Sequence, residues 1–332
     1  MIIDKKYLDP FILATERAAY GASLFKGKGD KIAADQSAVD EMRNQLNKIN
    51  MKGNITIGEG ELDQAPMLYI GEKVGNQSGE ELDIAVDPLE GTNFTAKNLP
   101  NALSVLAVTK KGNLLHAPDI YMDKIAIGAG FPENLVDLDF DVQKNIGRLA
   151  DAKKSSPEKI TACILKRPRH DQIVNSLNSL GVKINFITDG DVSGVISVAD
   201  PNSNIDIYLG IGGGPEGVLA AAALSCLDCQ MQTRLSFQNE DEKNRSRNMG
   251  IGDLNQKYNI NDMVKGDVIF CATGVTDGDL VKGIKDHGHS FEAETYVLHK
   301  SSNTNKIIKN IIKKWIINQF QKKAGYLKNM TR

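Results

Sequence analysis

The chain has 332 residues, of which 41% are hydrophobic and 25% charged, and its formal net charge is −2. This is ordinary globular composition, long enough for two α/β lobes or one large domain. The near-neutral charge argues against nucleic acid or a membrane surface as the main partner. The first 21 residues carry acids and lack an uninterrupted apolar core, which argues against a signal peptide and a spanning helix. We expect a cytoplasmic protein that binds small molecules.

Helix-like and strand-like patterns alternate along the chain without internal repeats. Residues 37–50 have helical spacing, and the runs GNITIG and ELDIAV that follow are typical of strands. Further strands are predicted at ITACIL, VKINFI, NIDIYLGI and GDVIFCATGV, each of which leads into a charged or glycine-rich loop. The pattern predicts a mixed α/β protein. A polar segment at 151–159 suggests a division into two α/β halves, residues 1–155 and 156–332.

The segment IAVDPLEGTNF places two acids behind a short apolar run. Pro88 cannot donate to a sheet, so the strand is expected to end there, with Glu90 one tight turn beyond Asp87. Gly91 permits close backbone approach, and Thr92 is expected to cap the following helix. Neighbouring acids beside free amides suit Mg²⁺ together with a phosphate. The same spacing also fits a surface turn before a capped helix.

Other acids recur in similar settings. Glu59 and Glu61 flank a glycine directly after a strand, where a cation and a ligand can approach the backbone. Glu216 follows Pro215 in the predicted first turn of a small-residue helix. An acid in that position also stabilises the helix dipole without any metal, so Glu216 alone does not define a site.

Two other kinds of site are not supported. The run GIGGGP has Pro215 where a dinucleotide fingerprint needs its third glycine, and the sequence contains no G-x-x-x-x-G-K-[ST] motif. Cys226 and Cys229 form a C-x-x-C in an apolar run, but no second pair completes a four-thiolate zinc site. We interpret these thiols as reduced packing residues.

Several blocks of sequence together resemble the class II fructose-1,6-bisphosphatase family, the GlpX-like phosphatases. In chain order they are IGEGELDQAPMLYIGEKVG, DPLEGT, NALSVLAV, HAPDIYMDK, KRPRHD, TDGDVSG and GIGGGPEGV, within residues 20–300. The pattern in DPLEGT also resembles the wider lithium-sensitive superfamily that includes inositol monophosphatases. The resemblance implies a layered αβαβα sugar-phosphatase fold, with two mixed sheets and a metal site between the halves.

The resemblance also implies the site residues. Its metal ligands fall on acids, namely Asp35, Glu59, Asp87, Glu90 and Glu216. Thr92 and Asp35 would act catalytically by orienting or deprotonating the attacking water. The substrate contacts fall on Glu90, Gly91, Thr92, Tyr121, Arg167, Pro168, Arg169, Asp189, Gly190, Asp191 and Gly213. Guanidinium groups suit a phosphate and carboxylates suit sugar hydroxyls, although a solvated charged loop explains the same residues.

The implied activity is hydrolysis of the 1-phosphate of fructose 1,6-bisphosphate, a step of gluconeogenesis, with Mg²⁺ or Mn²⁺ as cofactor. The implied assembly is a homo-oligomer, a dimer or a tetramer. The same chemistry on sedoheptulose 1,7-bisphosphate or an inositol phosphate is the first alternative. A non-catalytic protein that binds divalent cations or sugar phosphates is the second. No histidine is assigned as the catalytic base, and His170 is the one histidine within a site motif.

The chain departs from the family pattern in three places. Arg167 stands where family members often carry lysine, and Gln36 replaces the usual glycine after the metal aspartate. The tail beyond Lys300 diverges, and its spaced apolar residues and lysines suggest a basic amphipathic helix. Packing or subunit contact is the expected role of such a helix, and binding to an anionic surface is the alternative.

Overall fold

The computed structural model describes residues 2–58 and 67–314. The helices of this part of the chain are α1 (Leu8–Ser23), α2 (Lys31–Leu46), α3 (Thr92–Lys97), α4 (Val142–Ala152), α5 (Asp171–Ser179), α6 (Asp191–Ile196), α7 (Gly214–Ser225), α8 (Glu240–Asn248) and α9 (Ile260–Met263). The strands are β1 (Met51–Ile57), β2 (Lys73–Val74), β3 (Glu80–Glu90), β4 (Leu103–Lys110), β5 (Tyr121–Ile127), β6 (Thr161–Leu165), β7 (Lys183–Ile187), β8 (Ile207–Gly213), β9 (Gln230–Ser236), β10 (Lys257–Asn259), β11 (Val268–Gly274), β12 (Lys285–Asp286), β13 (Ser290–His299) and β14 (Thr304–Lys313).

These strands form two mixed sheets. The first sheet has the order β12-β13-β11-β4-β3-β1-β2, and β14 pairs with β13. Its β1–β3 pair is parallel and its other pairs are antiparallel. The second sheet has the order β10-β9-β5-β8-β6-β7, in which β6 runs parallel to both neighbours. The predicted pair of mixed sheets is therefore confirmed.

Three hydrophobic cores stack these sheets and helices into five layers. Helices α1 and α2 pack on the outer face of the first sheet, where Phe11 and Met42 meet Ile84. The next residue, Ala85, points to the opposite face and joins the core that α7 forms between the two sheets. On the outer face of the second sheet, Ile146 of α4 and its neighbours form the third core. Successive strand residues face opposite sides, so central strands read as continuous apolar runs. The αβαβα order is confirmed.

The order of strands along the chain differs from a simple division into halves. The first sheet takes β1 to β4 and β11 to β14, whereas the second takes β5 to β10. The chain therefore enters the second sheet before residue 155 and returns to the first sheet after residue 260. The division into residues 1–155 and 156–332 stays a prediction, and it does not coincide with the boundary between the sheets.

The predicted helix beyond Lys300 is wrong where the structure describes this tail. Residues 304–313 form β14, which pairs with β13 from Ser290 opposite Lys313 to His299 opposite Thr304. The isoleucine pairs of this segment have helical spacing. The segment nevertheless forms a strand because the open edge of β13 offers it hydrogen bonds and packing. Ile308 and Ile312 pack against the first sheet's outer core. Residues 315–332 lie outside the described residues.

None of the helices in the described part of the chain has the length and apolarity that a membrane crossing requires.

Candidate active site

Three acidic side chains meet where β3 ends and α7 begins. Asp87, Glu90 and Glu216 each offer a carboxylate oxygen, and these oxygens lie within 4.8 Å of one another. Asp87 and Glu90 are buried, and Glu216 is partly buried. An all-oxygen set of this kind suits a hard divalent cation such as Mg²⁺ or Mn²⁺.

The backbone at the end of β3 explains how Asp87 and Glu90 face the same point. Strand β3 continues through Pro88 to Glu90, so the prediction that it ends at the proline is wrong. Its pairing with β4 is irregular between Asp87 and Glu90, which breaks the alternation of side chains at this place. Proline is tolerated at such an irregularity because the missing N–H would not have paired.

Gly91, and not Thr92, is the N-cap of α3. Gly91 has φ = 83°, a left-handed conformation that favours glycine, and Thr92 is the first helical residue without a side-chain capping bond. The predicted capping role of Thr92 is therefore wrong. Its hydroxyl is not used to cap the helix, and Thr92 follows Glu90 by two residues.

Glu216 lies in the first turn of α7, beside a glycine that leaves room for it. A Cβ atom at Gly213 would overlap the carboxylate of Glu216. Gly213 has φ = −65°, so this glycine is required by space rather than by its own backbone conformation. The glycine run before α7 thus allows the acid to fold back toward the end of β8.

Asp35 lies on α2, which packs against both β3 and α3. It does not belong to the group of three acids within 4.8 Å. One of its carboxylate oxygens is buried and has no hydrogen-bond partner among the described residues. A buried carboxylate oxygen without a partner is unfavourable, and a cation would satisfy it. Asp35 therefore fits a metal site to which α2 contributes a ligand.

Three of the site acids, Asp35, Glu90 and Glu216, have raised pKa values. Burial raises the pKa of Glu90 to about 8, a hydrogen bond with Asp87 lowers it, and the charge of Glu216 raises it further. Burial raises the pKa of Asp35 to about 6 and also raises the pKa of Glu216. Mutually repelling buried acids of this kind become fully ionised when a divalent cation binds among them.

A second wall of the site comes from β5, β8 and the turn after β6. Tyr121 lies opposite Gly213 in the β5–β8 pair. The guanidinium of Arg169 lies over the Tyr121 ring, 4.7 Å from its centre, and its Nε and Nη2 donate to the carbonyl of Ile211 at 3.0 and 2.7 Å. Arg169 is exposed, so its remaining donors face solvent beside the acids. An aromatic ring and a fixed guanidinium suit a sugar phosphate.

The TDGDV loop connects this wall to α3. Asp189 shares a side-chain hydrogen bond with Asn93. Burial raises the pKa of Asp189, and the charge of Arg167 offsets part of that rise. Gly190 has φ = 79° and is the N-cap of α6. The two oxygens of Asp191 already have protein partners, Lys124 and the hydroxyl of Tyr208. Asp191 is also buried, so both of its oxygens are engaged inside the protein.

A groove of about 1110 Å³ is lined in part by residues of α6. Asp189 and Phe94 belong to its lining, whereas the three clustered acids do not. Its size exceeds what one small ligand needs, and its walls come from both sheets. The groove is therefore a neighbour of the acid cluster and is not the cluster itself.

The family profile described as "Bacterial fructose-1,6-bisphosphatase, glpX-encoded" matches residues 5–312 of this chain. The chain belongs to this family. It is 41% identical over 314 residues to the fructose-1,6-bisphosphatase class 2 of Haemophilus influenzae, covering 91% of this chain and 94% of that protein. It is 42% identical to the fructose-1,6-bisphosphatase 1 class 2 of Escherichia coli K12, with 91% and 93% covered.

Two solved structures match this fructose-1,6-bisphosphatase family member at low sequence identity. An inositol monophosphatase from Anabaena matches with a TM-score of 0.31 and 13% identity, covering 59% of this chain and 72% of that chain. The extragenic suppressor protein suhB of Bartonella henselae matches with a TM-score of 0.32 and 13% identity, covering 59% and 74%.

The structure of this family member brings most of the predicted site residues together. Glu59 lies outside the described residues. His170 is buried, accepts from the Ile211 N–H through Nε2 at 2.8 Å and contacts the Leu165 carbonyl through Nδ1 at 2.6 Å. Because the ring nitrogens are both engaged, His170 holds two backbone segments and offers no free base.

Sequence reasoning missed two buried residues next to the acids. Lys124 and Tyr208 are fully buried, and both contact Asp191. The available signal was a lysine within the apolar pattern of β5, since a charged residue in a buried strand needs a partner. Its partner, Asp191, is the first residue of α6 and lies 67 residues later in the chain, so no local pattern identifies it.

Proposed function

We propose that this chain is a metal-dependent phosphatase that hydrolyses the 1-phosphate of fructose 1,6-bisphosphate to fructose 6-phosphate and inorganic phosphate. The observation that carries the proposal is the convergence of Asp87, Glu90 and Glu216 within 4.8 Å, beside the wall of Tyr121 and Arg169. Membership of the fructose-1,6-bisphosphatase family supports this substrate over others. The curated relatives match over nearly their whole length and nearly the whole of this chain, which supports the same reaction.

Asp35, Glu59, Asp87, Glu90 and Glu216 would hold the divalent cations, Mg²⁺ or Mn²⁺. The oxygens of Asp87, Glu90 and Glu216 fit such ions in type and burial, and the unpartnered oxygen of Asp35 points to the same need. When bound, the cations supply charge neutralisation of the phosphoryl oxygens and acidify the attacking water. The protein positions the acids that hold them.

The protein's own residues divide the remaining work. Thr92 lies two residues after Glu90 and would orient the water together with Asp35. The side chain of Arg169, stacked on Tyr121, would hold the second phosphate with Arg167, and Asp189 would accept from the sugar hydroxyls. A phosphate held away from the reacting centre contributes mainly uniform binding, whereas Thr92 acts on the reacting atoms.

Two other functions use the same features. The acids and the phosphate wall would also accept sedoheptulose 1,7-bisphosphate or an inositol phosphate, and a non-catalytic binding protein would hold a sugar phosphate without releasing phosphate. A panel of fructose 1,6-bisphosphate, sedoheptulose 1,7-bisphosphate and an inositol phosphate, tested with purified protein and Mg²⁺ or Mn²⁺, separates these functions. We expect the highest kcat/KM on fructose 1,6-bisphosphate. A higher value on another substrate would replace the proposed one, and binding without phosphate release would favour the binding protein.

Three further expectations belong to this proposal. The cation is Mg²⁺ or Mn²⁺, the protein works in the cytoplasm, and it forms a dimer or a tetramer. Light scattering coupled to size-exclusion chromatography gives the oligomer number.

Burial raises the pKa of the Cys226 and Cys229 thiols to about 12, which keeps both in the unreactive thiol form.

A further inference from the structure

A fully buried lysine lies beside the acid cluster. Lys124 of β5 has no exposed surface, and its ammonium forms an ion pair with one carboxylate oxygen of Asp191. The other oxygen of Asp191 accepts from the hydroxyl of Tyr208, which is also fully buried. A buried ammonium is strongly unfavourable unless it is paired, so the position of Lys124 depends on this carboxylate.

Two glycines provide the space for this ion pair. A Cβ atom at Gly212 would overlap the Asp191 carboxylate and lie 3.1 Å from Lys124 Nζ. A Cβ atom at Gly217 would lie 2.7 Å from Met122 Sδ and 3.2 Å from Lys124 Cε. Gly217 follows Glu216 directly, so the same glycine-rich segment accommodates both the metal acid and the lysine.

The ion pair is connected to the acid cluster by a hydrogen bond and by charge. The residue after Asp191 donates its backbone N–H to Glu90 Oε1 at 2.9 Å. The Asp191 carboxylate lies against Gly212 and the Glu216 carboxylate lies against the next residue, Gly213, so the ion pair and the acid cluster adjoin the same short piece of backbone. The charge of Lys124 attracts the acids of the cluster, whereas the charge of Asp191 repels them. This part of the interior therefore contains four carboxylates, namely the three clustered acids and Asp191, and one ammonium, which is paired with Asp191.

We propose that Lys124 is a resident counter-ion of the acid cluster and a positioning residue for it. It keeps Asp191 and the start of α6 against Glu90 before a divalent cation binds, and its charge opposes the binding of that cation. This inference rests on the proposed metal site. Two cations that neutralise the same acids weaken each other, so removing the lysine strengthens binding of the metal.

The test compares the parent protein with Lys124→Met and with the double variant Lys124→Met, Asp191→Asn. Each chelator-treated protein is titrated with Mn²⁺ by calorimetry at pH 8, and its unfolding temperature is measured without and with saturating Mn²⁺. Lys183→Met, at an exposed position of β7, is the control for losing one positive charge. At a separation of several ångströms, one unit charge changes an affinity by about 10-fold or more in a partly screened interior.

We expect Lys124→Met to bind Mn²⁺ about 10-fold more tightly than the parent, to unfold at a lower temperature without metal, and to gain more stability from Mn²⁺ than the parent gains. The double variant removes one charge of each sign, so its dissociation constant should lie within about 3-fold of the parent value. The Lys183→Met control should behave like the parent.

Each other result has a distinct meaning. If the parent binds no Mn²⁺, the proposed metal site is wrong, and this inference fails with it. If the parent binds Mn²⁺ and Lys124→Met binds it equally or more weakly, only the counter-ion role is overturned. If Lys124→Met does not fold, the double variant decides: recovery of folding with parent-like Mn²⁺ affinity supports the charge pairing, and failure to recover overturns it.

Discussion

Thr92 gives a clear test of the proposed catalytic role, because its hydroxyl is not used to cap α3 and a loss of activity would not reflect a lost helix cap. We expect Thr92→Ser to keep most of the turnover, since the hydroxyl survives. Thr92→Ala should lose on the order of 10²-fold in kcat, the scale of one positioned acid–base group. Stability should change by less than about 0.5 kcal/mol, as for a substitution that breaks no cap or core contact. Steady-state kinetics and denaturant unfolding of both variants measure this, and parent-like kcat in folded Thr92→Ala would remove Thr92 from the reaction.

Arg169 is expected to act on binding rather than on chemistry. Its guanidinium is held by the Ile211 carbonyl and the Tyr121 ring, and in the proposed function it binds the phosphate that is not cleaved. Arg169→Ala should raise KM for fructose 1,6-bisphosphate by about 10-fold or more and change kcat far less. The control is Arg247→Ala on α8, an exposed arginine that should leave both constants unchanged. A collapsed kcat with unchanged KM would place Arg169 at the reacting phosphate.

Glu16 predicts a pH dependence of stability. Glu16 is buried on α1 and accepts from Asn310 of β14 at 2.8 Å, and burial raises its pKa to about 7. The folded protein therefore retains a proton that the unfolded chain releases above about pH 4.5. This contribution to stability is present at low pH and is lost as the pH rises through 7.

Glu16→Gln stays neutral at every pH, so its advantage over the parent should be below about 1 kcal/mol at pH 5. It should reach about 2–3 kcal/mol of unfolding free energy at pH 8. Urea unfolding at the two pH values measures the difference, with the exposed Glu133→Gln as control. An advantage that does not grow with pH would show that Glu16 ionises freely in the folded protein.

At the scale of elements, the junction of β8 and α7 decides whether Glu216 reaches the site. Gly213→Ala would drive a methyl group into the Glu216 carboxylate, so we expect weaker Mn²⁺ binding by about 10-fold or more and a matching loss of activity. Gly147→Ala, in α4 with open space around it, is the matched control. It should stabilise the protein by about 0.5–1 kcal/mol and leave Mn²⁺ binding unchanged. Parent-like Mn²⁺ affinity in Gly213→Ala would show that Glu216 is not required.

The same elements show what local sequence could and could not predict. The helix at α2 and the strands around Ile84 and Tyr208 follow from apolar spacing, and the resemblance predicted the layered order. The wrong predictions fall where a non-local partner decides the structure. Strand β3 passes Pro88 because its pairing with β4 is already irregular there, and β14 forms because the edge of β13 is open to it. Neither partner is visible within a short window of sequence.

At the scale of the whole molecule, the site is assembled from distant parts of the chain. Asp35 on α2, Asp87 and Glu90 on β3, and Glu216 on α7 come from three layers of the fold. The motifs predicted these acids because each stands at the end of a strand or in a helix, where the resemblance could be matched residue by residue. The Lys124–Asp191 pair could not be predicted in this way, since it exists only after β5 and α6 are packed together.

The most direct test of this account is phosphate release from fructose 1,6-bisphosphate by the purified full chain, measured with Mg²⁺ or Mn²⁺, with excess chelator, and after the metal is restored. We predict steady release with metal, none under chelation and recovery when metal returns, because the buried acids need a cation for the reaction. Asp87→Asn should stay inactive throughout. Full release in the chelated sample, or no release with either metal, would contradict the account.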